Sequence, residues 1–202
     1  MDVAQWVRRA AELVAADADR LTRLDAEIGD GDHGHNLNRG FTAAVAALPP
    51  DGPPPGKVLI AAGRAIVSKT GGASGPLYGT ALRRAGKALG DAAAVDAGGL
   101  GAALRAALAG VQELGQAAPG DKTMVDALIP AVAAYETAQA AGLAAATRAA
   151  AEAAAKGAAA TIPLQARKGR ASYLGPRSIG HEDPGAASTA LILRALAEVA
   201  AR

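Results

Sequence analysis

From Val3 to Ile28 apolar side chains return every three or four residues, and most later segments renew that period. Such spacing builds one greasy stripe on a helix, and no stretch alternates apolar with polar long enough to suggest a strand. Val3, Val7, Ala10, Val14, Leu21, Leu24 and Ile28 predict a long first helix with Asp17 as its polar interruption. Leu37, Phe41, Val45 and Leu48 predict a second, which ends in the stiff break Pro49–Gly56. Leu59, Ala62, Ile66 and Val67 mark a third, stopped by Thr70-Gly71-Gly72. Tyr78, Ala81, Leu82, Ala85 and Leu89 mark a fourth with Pro76 near its start, and Leu100, Leu104, Leu108 and Val111 a fifth that ends near Gly115. Met124, Leu128 and Val132 predict a sixth, capped by Asp121 and kinked at Pro130. Residues 142 to 160 are nearly all alanine and helical by propensity, residues 161 to 182 are irregular, and Asp183-Pro184 opens a last helix whose inner face is Ser188, Leu191, Ala195 and Val199. The expected fold is all-α, an assembly of about eight helices.

Composition fits close helix packing. Half of the 202 residues are hydrophobic, yet only five are aromatic and most of the apolar side chains are alanine, so helices can approach closely while a β-sandwich would lack bulk. The length suits one domain over residues 1–202. A net charge of +2 with scattered basic residues argues against nucleic acid, and the lack of cysteine excludes disulfide and thiolate chemistry. With no signal-peptide pattern and no spanning apolar run, the expectation is a cytoplasmic protein without membrane partners.

The chemistry concentrates between the first two predicted helices. Asp25, Glu27, Asp30 and Asp32 fall within eight residues, broken by Gly29, Gly31 and Gly34. Like charges this close repel, so such a loop usually needs a neutralising cation or shifted protonation. Three carboxylates without a thiolate suit Mg²⁺ or Ca²⁺ better than zinc, although an acidic loop capping the next helix has the same composition. An EF-hand beginning at Asp30 fails, since Gly34 and Phe41 occupy two of its ligand positions. Gly29–Gly34 also spells GxGxxG, but a helix precedes it instead of a strand, and two aspartates inside it would repel a bare pyrophosphate.

Three further loops suit anions at helix starts. Thr70–Pro76 is a glycine-rich turn able to cradle phosphate, with Ser74 as an added donor. The preceding Gly63–Thr70 nearly spells a P-loop, but Ser68 replaces its second glycine and the segment reads as helix. Gly120–Met124 offers a cap, a cation and free amides, and Met124 suits either the core or the face of a purine. Ala166–Tyr173 is the dense basic cluster, where Arg167 would be a natural phosphate clamp beside a metal site. His33, His35 and His181 could be ligands or simply hydrogen-bonded loop residues.

Taken in order, Gly29–Gly34 with Asn36 and Asn38–Gly40, Gly71–Pro76, Gly120–Met124, and Arg167–Tyr173 with Asp183–Gly185 resemble the nucleotide-binding L subunit family of dihydroxyacetone kinases over nearly the whole chain. The resemblance implies an antiparallel eight-helix barrel with its site in loops at one end, binding ADP or ATP through two Mg²⁺ ions. By that likeness Asp25, Asp30 and Asp32 would be metal ligands, and His33, Gly34, His35, Asn36, Gly72, Ala73, Ser74, Gly115, Thr123, Met124, Asp183, Pro184 and Gly185 would surround the nucleotide. Arg167 would both bind the nucleotide and act in catalysis, while His35 stands where the family usually has a small residue. The resemblance further implies a phosphoryl-donor subunit serving a separate K subunit that holds dihydroxyacetone. A chain of 202 residues leaves no room for a K domain, which favours the version recharged by a phosphohistidine protein of the phosphotransferase system over the fused, ATP-exchanging one. Two other readings use the same pocket: a nucleotide-state sensor contacting a transcription regulator, and a donor subunit for another ketose or acceptor.

Overall fold

The computed structural model describes residues 1–50 and 52–202. Among the described residues it is built of nine α-helices and no strand, so the all-α expectation holds. They are α1 (Val3–Ala16), α2 (Ala18–Ile28), α3 (His33–Ala46), α4 (Pro55–Lys69), α5 (Ser74–Leu89), α6 (Ala97–Gly115), α7 (Val125–Ala138), α8 (Leu143–Ala160) and α9 (Pro184–Ala200). A 3-10 segment, Arg170–Ser178, occupies part of the irregular stretch before α9. Among the described residues no helix is long and apolar enough to cross a membrane.

Two boundaries differ from the sequence reading. The expected first helix is two helices, broken at Asp17, whose φ/ψ of −107°/7° leaves the helical range. Asp17 pairs with Arg20 at 2.9 Å, and α2 leans against α3 so closely that a Cβ on Gly34 would lie 1.9 Å from Ala18 O. At the other boundary, α7 starts at Val125 and Asp121 does not cap it. The Asp126 carboxylate serves the entry instead, accepting from the N–H groups of Gly120 and Thr123, while Asp121 accepts from Ala118 N at 2.8 Å. The expected proline is accommodated, for Pro130 sits inside α7.

The helices pack in a cycle: α3 on α4, then α5, α6, α7, α8 and α9 in succession, with α1 touching both α9 and α3. α2 flanks that cycle against α3, α9 and the 3-10 segment. Each successive pair reverses direction, so the N-termini of α3, α5, α7 and α9 gather together. Trp6 ties α1 to α9 through Nε1 donating to Ile192 O at 3.0 Å. Alanine does the close packing. Ala146, Ala150 and Ala154 of α8 are fully buried at four-residue spacing, and a Cβ on Gly157 would meet Asp126 O of α7 at 2.4 Å. Val67, assigned inward by its spacing, is 40% exposed at the α4–α5 seam.

Candidate functional site

Four helix N-termini open onto one cleft of about 200 Å³, lined by the loops before α3, α5, α7 and α9. Each contributes amide N–H groups without intrahelical partners and the positive end of a helix dipole, which together favour an anion.

The acidic loop faces them. Oxygens of Asp25, Asp30 and Asp32 all lie within 4.8 Å of one another. Asp25, on the last turn of α2, is only 9% exposed, and its Oδ2 accepts from Asp32 N at 2.9 Å and His33 N at 3.1 Å. That geometry depends on Gly29, where a Cβ would stand 2.1 Å from Asp25 Oδ1. Asp30 pairs with Arg170 at 3.2 Å, whereas Asp25 and Asp32 have no ion-pair partner among the described residues. Three converging carboxylates with two lacking a counter-charge fit a hard divalent cation of the Mg²⁺ or Ca²⁺ class.

Opposite lies a chain of neutral polar groups. Ser74 Oγ meets His33 Nδ1 at 3.0 Å, His33 Nε2 meets Ser188 Oγ at 2.9 Å, and Ser188 Oγ meets Tyr78 OH at 2.7 Å. Burial lowers the His33 pKa, with Asp25 and Asp32 pulling the other way, so its imidazole is neutral at physiological pH. Burial likewise raises Tyr78 to about 12. The network links the starts of α3, α5 and α9 and fixes the relative position of their free amides. Asp183 caps α9 by accepting from Ala186 N at 2.7 Å. Its pKa rises to about 7, chiefly through burial, against the opposing pull of the Ala186 N–H and Lys122.

The cleft brings together Asp25, Asp30, Asp32, His33, Gly72, Ala73, Ser74, Thr123, Met124, Asp183, Pro184 and Gly185. It does not bring in Gly34, His35, Asn36, Gly115 or Arg167. Gly34 is the contact with α2, and His35 is exposed 3.9 Å from Asp19. Asn36 is buried, accepts from Arg39 and packs on Gly71; Gly115 sits behind Leu77, which itself lines the wall. Arg167 is exposed away from the cleft, held by its backbone N–H to Asp121 O at 3.0 Å. The cations that do line it are Lys122, Lys168 and Arg170. Counting along the basic run could not choose among them, because the left-handed turn at Gly169 (φ 64°) decides which side chains face inward. Leu77 and Tyr78 were also missed as site residues; the available signal was their place one turn into the helix that follows the glycine-rich loop.

The DAK2 domain model matches residues 27–198. The ADP-binding subunit DhaL of the PEP-dependent dihydroxyacetone kinase of Escherichia coli (strain K12) is 42% identical over 96% of this chain and 94% of its own length. A D-erythrulose kinase of Mycolicibacterium smegmatis is 42% identical over 97% of this chain, which spans 35% of that longer protein. Among solved structures, the dihydroxyacetone kinase of C. freundii in complex with AMP-PNP and Mg²⁺ superposes with a TM-score of 0.73 at 28% identity, covering 98% of this chain and 33% of that one.

Proposed function

Because the chain belongs to the DAK2 domain family, we propose that it is the phosphoryl-donor subunit of a dihydroxyacetone kinase, binding ADP or ATP with two Mg²⁺ ions. One observation carries the reading: three carboxylates stand across a single cleft from four helix N-termini. Carboxylates and free amides repel and attract a polyphosphate respectively, so the two sides are compatible only when cations lie between them. Bound Mg²⁺ would supply charge neutralisation on the phosphates. Asp25, Asp30 and Asp32 would hold the metal, the amides around Ala73, Ser74, Thr123 and Gly185 the phosphates, and Met124 the base. Arg170, which already reaches Asp30 and lines the cleft, replaces Arg167 as the cation placed to stabilise charge on the transferring group.

Two relatives covered over nearly their whole length are named as ADP-binding subunits of PEP-dependent dihydroxyacetone kinases. That supports a donor recharged by a phosphohistidine protein of the phosphotransferase system and a separate K subunit presenting dihydroxyacetone. The likeness to D-erythrulose kinase favours a second acceptor, a four-carbon ketose, to be assayed beside the first. Calorimetric titration with ADP tests the core of the reading. Binding is expected in Mg²⁺ and lost in EDTA; equal affinity in both would sink it.

A further inference from the structure

Lys122 is the most completely enclosed cation of the molecule's cleft, 1% exposed, and it has no carboxylate within ion-pairing distance. Its backbone is left-handed, at φ 63°, a conformation that L side chains adopt only when the surroundings demand it. Four main-chain carbonyls surround the ammonium and share its three N–H donors: Thr161 O at 2.8 Å, Leu164 O at 3.1 Å, His181 O, and Ile162 O at a longer 3.4 Å. Nothing in the proposed binding of metal, phosphate or base uses this group: the residue lies on the cleft wall, but its ammonium is held by main-chain carbonyls.

The four carbonyls share one property. Thr161, Ile162 and Leu164 begin the irregular segment between α8 and α9, and His181 ends it. Lys122 therefore clamps the two feet of one strap. Other bonds join the same feet: Gly180 N donates to Ile162 O at 2.8 Å and Asp183 N to Thr161 Oγ1 at 2.9 Å. Higher up, Ala166 N donates to Ser178 Oγ at 2.9 Å and Arg167 N to Asp121 O, the residue before the lysine. At its crest the strap carries Lys168 and Arg170 into the cleft. Residues 162–181 contain no Asp or Glu, so no carboxylate within the strap could draw these cations back.

Burying an ammonium among neutral carbonyls gains less than pairing it with a carboxylate, and a left-handed lysine adds strain. Its return is geometric: one group with three donors collects carbonyls that diverge from two chain segments, which no apolar side chain could satisfy. We propose that Lys122 is a positioning residue that closes the 161–181 strap and thereby sets Lys168 and Arg170 over the phosphate end of the cleft. The proposal rests on the nucleotide reading above and adds to it the device that places its cations. Lys122 does not touch the ligand; it acts through the strap.

The test uses the full chain with Lys122→Met, which keeps the stem and removes the charge, and Lys122→Gln, a milder change that keeps two donors. Hydrogen exchange of residues 162–181 is expected to accelerate by about tenfold or more, with α1, α4 and α6 unchanged. Affinity for ADP with Mg²⁺ is expected to fall by about tenfold. Mn²⁺ binding to the nucleotide-free protein, read by paramagnetic resonance, is expected to hold within about twofold. Because Lys122 acts through Lys168 and Arg170, adding K122M to the K168A/R170A variant should weaken ADP binding by no more than about twofold further. Unchanged strap exchange in both single Lys122 variants, or a K122M loss that multiplies in the K168A/R170A background, would overturn the proposal. If K122M does not fold, K122Q alone and in that background decides the same points. A wild-type chain that fails to bind ADP with Mg²⁺ instead overturns the nucleotide reading, and strap exchange alone then judges the clamp.

Discussion

The three aspartates share one cluster but not one role. Asp25 is nearly buried and accepts two backbone N–H groups at the start of α3, so it supports the fold as well as any metal. Asp25→Ala should cost about 1–2 kcal/mol in metal-free urea melts, the loss of a capping acceptor. Asp30 is exposed and its pair with Arg170 is of a kind worth little, so Asp30→Ala should leave metal-free stability within about 0.5 kcal/mol or raise it slightly by relieving repulsion. Both variants should lose Mg²⁺-dependent ADP binding; a D30A protein that unfolds would make the loop purely structural. Asp183 brings pH dependence. Its folded pKa of about 7 lies above that of an unfolded aspartate, so its protonated form stabilises the fold at low pH and that contribution is lost as pH rises through about 7. In EDTA the wild type should therefore lose stability between about pH 4 and pH 7 and level off above that, by an amount on the order of a few kcal/mol. Asp183→Asn, which can still cap α9, should show a flatter profile, and an unchanged slope would assign the dependence to another group.

At the scale of elements, α4 and α5 meet backbone to backbone. A Cβ on Gly79 would lie 2.7 Å from Gly63 O, one on Gly63 2.8 Å from Gly79 O, and Gly56 and Gly86 repeat the arrangement two turns away. Carbonyls cannot swing aside as a side-chain tip can. Gly79→Ala should thus cost about 1–3 kcal/mol by overpacking, against the gain of about 1 kcal/mol that alanine usually brings to a helix. Gly98→Ala, in the open first turn of α6 with only Asp96 Oδ1 at 3.6 Å, should show that gain and serves as the control. Urea midpoints of the two variants moving in the same direction would refute the close-seam account. The seam matters to the site because α4 ends and α5 begins at the Thr70–Ser74 loop.

Over the whole molecule, the acidic cluster and the free amides of four helix starts converge on one cleft. On the proposed donor role, transfer requires donor and acceptor oxygens held nearly in line, and a separate K subunit would present the acceptor. The purified chain with ATP, Mg²⁺ and dihydroxyacetone should show negligible turnover, restored by adding a K subunit. Sustained turnover with ATP should stay low even then if ADP remains bound until a phosphohistidine donor recharges it. Robust multi-turnover phosphorylation by this chain alone would contradict its assignment as a donor subunit.

What the sequence determined by itself was local. The three- and four-residue period placed the helices, Asp183-Pro184 marked the start of α9, and the crowded aspartates foretold a cluster of converging carboxylates, because propensity, capping and charge repulsion act between near neighbours. Tertiary structure decided what depends on partners distant in the chain. Asp17 breaks a helix because α2 must lean on α3, Asp126 replaces Asp121 at the entry to α7, and Arg170 faces the cleft where Arg167 does not. Lys122, adjacent to the proposed phosphate site in sequence, gives its ammonium to the strap because four carbonyls some 40 to 60 residues later converge on it. A side chain's type is written locally, but its direction is set by whichever segment packs against it.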